Sequence, residues 1–335
     1  MGVINPFDAL YRECNTGAAY EKWVTERGPI IVDVEPTSLC NFRCKFCPTG
    51  LQGVGRAGNY MTVSTFSQIL KLTKPMNSAI RFIGWGEPLL NPEALTMMHL
   101  AKAHGRLVHL NTNASLMCGD GRDTVTVNDF IAASCHSVKI SMQGATREKF
   151  HIMRGTDNFD HCLRVAHNLR WRLGPRPFVA ISCTTTDETE EEIEEFVSRA
   201  SMCADRVTVG ATMTSFIRAD KVPARRLPDL ERVRSEEQTT GLRHPDPCPE
   251  VYDKLSIHWD GSAVVCCNDY YGETNLGNVN DVESIDTIYY HDTMVEYRKN
   301  LACGIYTGPL CENCYEYIET EKTLEADIPN ALERD

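Results

Sequence analysis

The stretch Cys40-Asn-Phe-Arg-Cys44-Lys-Phe-Cys47 sets three thiols on a CxxxCxxC spacing. Three soft sulfur ligands this close together suit a four-iron cluster and leave its fourth iron without a protein ligand. A structural zinc site would need a fourth protein ligand nearby to close its tetrahedron, and the nearest histidine, His99, is far off in sequence. The chemistry of the chain is therefore expected at the open iron.

Outward from this run, β-branched segments alternate with helical ones. Strands are expected over 30–35, 80–83, 107–111, 137–141, 178–183 and 206–209, with helices over 63–72, 92–104, 159–172 and 188–200. Such alternation predicts parallel strands covered by helices, here a partial (β/α)6 barrel over 30–213 in an α/β fold. Working residues in a barrel of this kind project from the C-terminal ends of the strands. Residues 1–29 read as an N-terminal segment and 214–247 as an Arg-, Pro- and Glu-rich linker with a helix near 229–238. A small cysteine-bearing module follows over 248–317, then an acidic tail over 318–335.

The chain has 335 residues, 42% of them apolar, enough for one large domain and a small one. The N-terminus has no basic segment followed by an apolar run, and no stretch approaches the roughly 18 apolar residues that span a bilayer. The expectation is a cytoplasmic protein whose 15 cysteines are reduced or bound to metal rather than paired in disulfides. A net charge of −12 disfavours nucleic acid and anionic membranes as partners and is compatible with a cationic small substrate.

The second strand leads into Gly84-Trp85-Gly86-Glu87-Pro88, and small residues there let backbone approach a ligand closely. The third ends at Asn111-Thr-Asn113-Ala114, and the fourth gives Lys139-Ile-Ser141-Met-Gln143-Gly144, followed by Met153-Arg154-Gly155. With the cysteine run, these motifs resemble those of the radical S-adenosylmethionine (SAM) superfamily. The resemblance implies that SAM coordinates the open iron of a [4Fe–4S] cluster and is cleaved by one electron to a 5′-deoxyadenosyl radical. A flavodoxin or ferredoxin would supply that electron. By the same resemblance Gly84, Gly86 and Glu87 receive the methionine amino group. Asn113 contacts the adenosine side and Ser141 the ribose. Arg154 pairs with the methionine carboxylate, a role its planar fork suits.

In the C-terminal module Cys248 and Cys266 flank Gly261 on a Cx12Gx4C pattern, and Cys311-Glu-Asn-Cys314 closes the segment. This resembles the Twitch form of the SPASM family, which implies that Cys248, Cys266, Cys311 and Cys314 hold one auxiliary [4Fe–4S] cluster. A zinc ribbon would use the same ligand set. A full SPASM module needs about seven cysteines for two clusters, and only Cys267 and Cys303 remain nearby. In an extended segment Cys267 would face away from Cys266.

Six cysteines are left over: Cys14, Cys118, Cys135, Cys162, Cys183 and Cys203. Burial as small hydrophobes is the default for them. Cys183 is expected to end its strand at the barrel mouth, just before Thr184-Thr-Thr-Asp187, with its thiol toward the substrate. A thiol there can return a hydrogen atom to a carbon radical. The pattern resembles the Twitch enzymes of aminoglycoside biosynthesis. It implies an epimerase that inverts a carbinol centre of an aminosugar or aminoglycoside, of the hygromycin type acting at a sugar C2′. The rival is a dehydrogenase in which the substrate radical loses a proton and passes an electron to the auxiliary cluster. A peptide-modifying maturase is a third reading, for which the segment before the first strand is short.

Overall fold

The computed structural model describes residues 4–14, 28–52, 58–118, 127–214, 217–236, 242–243, 248, 250–306, 308–312, 314, 316–317 and 326–327. Parts of the N-terminal segment, the linker and the acidic tail lie outside the described residues.

Six strands, β1 Ile31–Val34, β2 Ala79–Phe82, β3 Val108–Thr112, β4 Ser137–Gln143, β5 Phe178–Thr185 and β6 Arg206–Ala211, stand side by side in chain order. Each pairs in parallel with the next, as expected of the partial (β/α)6 barrel. Alternate residues of a strand face opposite ways. One face, including Val32, Val34, Ile80, Phe82, Val138, Ile140, Val179 and Ile181, is buried in the main apolar core with the surrounding helices. The other face carries Asp33, Arg81, His109, Lys139, Ser141, Ser182 and Thr184 into a polar lumen.

The covering helices begin and end on local signals. Val63–Leu72 starts at Thr62, whose hydroxyl accepts from the Thr65 amide. Arg147–Arg154 starts at Thr146 and stops at Gly155, whose φ of 69° only glycine adopts freely. Glu190–Ser201 starts at Thr189 in a reciprocal capping box with Glu192. The cap is thus Thr189, while Thr184 and Thr185 stay in β5.

Helix Phe7–Cys14 closes the bottom of the barrel. Phe7 is buried against Ile31 and Ala79, its ring lies 5.4 Å from that of His109, and Asp8 pairs with Arg206 at 2.8 Å. The linker is more structured than its polar composition suggests. Helix Leu227–Glu236 buries Leu230 with Ile217 and Val222 against Leu51, and Asp229 lies 3.6 Å from Lys45 of the cysteine loop.

Strands β7 Leu242–Arg243, β8 Lys254–Ile257, β9 Ala263–Val264, β10 Glu316–Tyr317 and β11 Ala326–Asp327 complete the count among the described residues. β8 pairs in parallel with β1, so the barrel sheet runs on into the C-terminal module. β8 and β9 form an antiparallel hairpin with Gly261, φ 88°, in its turn. β7 pairs with β10. β11, inside the segment expected as a tail, adds to the outer edge of β6. Among the described residues no helix is long and apolar enough to cross a membrane.

Candidate active site

The cysteine run forms a loop between β1 and helix Pro48–Gln52. Backbone amides aim at its sulfurs. The Phe42 N–H donates to Cys40 Sγ at 3.4 Å, and the amides of Thr49 and Gly50 serve Cys47. Burial pushes the Cys40 thiol up to about 11 and Cys44 up to about 12, and raises Cys47 as well. Bare thiolates are costly here, and metal coordination offsets that cost.

The loop is held by backbone packed too closely for side chains. A Cβ on Gly50 would lie 2.1 Å from the Cys44 carbonyl oxygen, and one on Gly86 would lie 2.1 Å from that of Thr37. The Glu87 N–H donates to Leu39 O at 2.8 Å, and the Lys45 N–H to Met153 O at 2.9 Å. Gly84 backs onto Glu35, 2.6 Å from a would-be Cβ. The Glu87 carboxylate is spent within the protein, accepting from Thr112 Oγ1 at 2.6 Å and the Asn113 N–H at 2.7 Å. Burial raises its pKa. Glu87 thus joins the ends of β2 and β3. Asn113 donates to Asn41 Oδ1 at 3.0 Å and reaches Cys40 Sγ at 4.0 Å, which puts it on the cysteine loop. Ala114 keeps a φ of 60° at a position that suits glycine.

Ser141 lies on the lumen face of β4, and its carbonyl accepts from Arg154 Nη1 at 2.7 Å. The guanidinium lies 5.3 Å from the Phe42 ring and 5.5 Å from the Phe150 ring. Its Nε is buried and has no partner among the described residues. A buried donor beside three thiols fits a ligand carboxylate, so the residues present fit SAM on a cluster.

Cys183 departs from expectation. β5 continues past it to Thr185, so Cys183 pairs with Met142 and Val209 inside the sheet. Alternation puts it with them on the core face, fully buried, while Ser182 and Thr184 take the lumen. Burial drives its pKa far up and holds it as a neutral thiol. Cys135 and Cys162 are also buried, as expected.

The C-terminal cysteines converge across the hairpin. Asn268 spans two of them, its N–H donating to Cys266 Sγ at 3.2 Å and its Nδ2 to Cys314 Sγ at 3.6 Å. Cys248 lies within electrostatic reach of Cys311 and Cys314. Burial pushes Cys248 up to about 12 and Cys311 up to about 11. Four thiols from distant segments fit a closed metal centre. The segment at Cys267 is a turn rather than extended, and its thiol reaches Glu250 Oε2 at 3.6 Å. Asp269 accepts from the Glu273 and Thr274 amides and so shapes a turn.

Trp85, which the sequence singles out only as an odd residue between glycines, joins the two sites. Its Nε1–H donates to Cys267 O at 3.0 Å, and its ring stands edge-on to the buried Tyr270 at 5.7 Å. Below it a cavity of about 20 Å³ is lined by Asp33, Glu35, Gly84, Trp85, Ser256, His258 and Cys267, among others. Asp33, Glu250 and Cys267 bring ligand atoms within 4.8 Å of one another. Arg81 binds Asp33 through Nε and Nη2 at 2.5 and 2.6 Å, and Lys254 binds Glu250, so the group is a charge network rather than a cation site.

Lys139 also faces this lumen, two residues before Ser141 in β4. Burial, then Arg81, pushes it down to about 8. Its position was readable from the alternation in Lys139-Ile-Ser141, where both polar residues share a face.

The family description "Radical SAM superfamily" matches residues 34–200, and "Iron-sulfur cluster-binding domain" (SPASM) matches 248–315. Mycofactocin maturase MftC of Mycobacterium tuberculosis is 29% identical over 180 residues, 52% of this chain and 44% of the relative. The chain thus spans less than half the length of that relative. The structure of BtrN in complex with AdoMet and 2-DOIA superposes at a TM-score of 0.55 with 14% identity, covering 88% of this chain and 97% of BtrN. SuiB of Streptococcus suis bound to precursor peptide SuiA superposes at 0.62 with 18% identity, covering 88% and 72%. The two domains imply SAM, a SAM-binding [4Fe–4S] cluster and an auxiliary cluster, and the chain belongs to the radical SAM superfamily with a SPASM-type domain behind its barrel.

Proposed function

We propose that the protein is a radical SAM epimerase that inverts a carbinol centre of an aminosugar or aminoglycoside, of the hygromycin type acting at C2′. The carrying observation is the lumen. The polar face of the barrel strands carries Asp33, Arg81 and Lys139, and the small cavity under Trp85 is lined by Asp33, Glu35, Ser256 and His258, polar groups that suit a hydroxylated, amine-bearing molecule better than an apolar side chain.

SAM held at the open iron supplies a 5′-deoxyadenosyl radical when reduced. In this reading Cys40, Cys44 and Cys47 would hold the cluster, Arg154 and Ser141 would orient the cofactor, and Gly84 and Gly86 would let backbone approach it closely. Once a hydrogen atom has been removed from the carbinol carbon, the Cys183 S–H would return one to the opposite face, and one electron and one proton would then be needed to restore the thiol. A fully buried thiol held neutral is chemically suited to donate hydrogen. Its side chain shares the core face with Met142, so the donor role is the part of the reading that Cys183→Ala tests most sharply.

That same placement supports a second reading, oxidation of the alcohol with the electron passing to the auxiliary cluster, which needs no thiol. Resemblance in fold to BtrN, solved with 2-DOIA, accords with either. Turnover of an aminoglycoside panel in deuterated water decides between them. Inversion with one solvent deuterium, lost in Cys183→Ala, is expected. A product lighter by two hydrogens, unaffected by Cys183→Ala, would establish the dehydrogenase.

A further inference from the structure

Two carboxylates at the lumen are engaged by cations. Asp33 is engaged by Arg81 through two nitrogens and Glu250 by Lys254. Lys139 forms no hydrogen bond or ion pair among the described residues. Its β3 neighbour Asn111 accepts from His109 or donates to it at 2.8 Å, and its β5 neighbour is Ala180, which offers no side-chain acceptor. Lys139 is partly exposed rather than fully buried, so its ammonium is open to a polar group that enters the lumen.

Position tells what that is. Lys139 lies on the same face of β4 as Ser141, about 7 Å deeper along the strand. It also lies within electrostatic reach of Asp33 and Cys267, both of which line the small cavity under Trp85. A substrate lying between the cofactor site and this cavity would bring its reacting carbon over Lys139. We propose that Lys139 binds, as a hydrogen-bond donor, the hydroxyl oxygen on the carbon that loses hydrogen. It thereby selects a hydroxyl-bearing carbon over an amine-bearing one. An ammonium facing the substrate's own ammonium is repelled, so the amines of an aminosugar must lie elsewhere, toward Glu35 at the cavity. No proton or electron moves in this contact; the donor holds and polarises an oxygen. The assignment rests on the polar small-substrate reading given above.

Groups that bear on the charge of Lys139 are Arg81 from β2, Asp33 from β1, His109 from β3, Lys254 from β8 and Cys267 from the module. The ammonium is charged below about pH 8 and lost above it. Binding through it should therefore be present below that value and fade as pH rises through it.

The test compares wild type, Lys139→Met and Lys139→Arg, reconstituted with iron and sulfide, on a panel of aminoglycosides. Iron content and sugar-independent formation of 5′-deoxyadenosine serve as controls for folding and cofactor binding. Lys139→Met should keep both controls and lose kcat/KM by about 30-fold or more, the worth of one charged hydrogen bond. It should also lose the preference for hydroxyl over amine at the reacting position. Lys139→Arg should recover activity, and the alkaline fall near pH 8 seen in wild type should vanish, because arginine stays charged. Lys139→Met within about threefold of an active wild type, or an unchanged alkaline fall in Lys139→Arg, would overturn this assignment alone. A wild type inert on every sugar would overturn the functional reading and this assignment together.

Discussion

The two cysteine sites are built by opposite means. The first takes its thiols from one short run, and backbone packing shapes it: the carbonyls of Thr37, Leu39 and Cys44 press on Gly86 and Gly50 with no room for a Cβ. The second gathers Cys248, Cys266, Cys311 and Cys314 from segments that meet only when β8, β9 and the last helices have assembled, with Asn268 as the tie. A contiguous site can leave one metal position open because its loop is rigid without a fourth strap. A site collected from afar is closed, because closing it is what holds the module together. The difference teaches a division of labour: the open site suits a bound cofactor, and the closed site ties the module together.

Removing one ligand from each site should break the comparison most visibly. Cys44→Ala should reduce 5′-deoxyadenosine formation to background. Cys314→Ala should retain that cleavage while dropping from about eight irons per chain to about four and losing turnover of sugar. Chromatographic assay and iron analysis of the two variants side by side check this. Equal loss of cleavage in both would merge the two sites into one functional unit.

Packing at the open site gives the next effect. Gly86→Ala forces a Cβ to within 2.1 Å of Thr37 O and 2.5 Å of Leu39 O. It should destabilise the fold by about 3 kcal/mol, as overpacking against backbone does. Gly210→Ala, where nothing lies within 4 Å, is the control. Thermal denaturation of both, with SAM-cluster reconstitution alongside, measures the contrast.

The smallest effect sharpens the picture at β3. Ala114 sits at φ 60°, where an L side chain is strained. Ala114→Gly should relieve that strain and, net of glycine's extra entropy in the unfolded chain, stabilise by about 0.5 kcal/mol. A matched denaturant titration reads it. A loss of stability would mean that the buried methyl of Ala114 contributes more by packing than its backbone costs.

Much of this was legible in the sequence because it is local. The six strands were placed to within two residues at either end, since their β-branched runs alternate cleanly with helices. The cysteine run stood out by its spacing, and Gly84 to Pro88 and Arg154 by their resemblance to superfamily motifs. What escaped depends on the assembled sheet. Cys183 was expected at a strand end because Thr184 to Asp187 reads as a helix cap, but the sheet's pairing with Gln143 and Gly210 carries β5 two residues further and turns the thiol to the core face. The parallel pairing of β8 with β1 has no local signal, for parallel partners lie far apart in the chain. Trp85 acquires its meaning only when Cys267 and Tyr270 arrive beside it.

The most direct test of the two-site account is a metal and spectroscopic count on anaerobically reconstituted wild type. Iron and zinc are measured by mass spectrometry, and the reduced clusters are followed by electron paramagnetic resonance before and after SAM. The account predicts about eight irons per chain, no stoichiometric zinc, and a signal of which only the portion lost in Cys44→Ala changes on adding SAM. About four irons with one zinc that disappears in Cys314→Ala would contradict it, making the C-terminal site a structural zinc centre with no part in electron transfer.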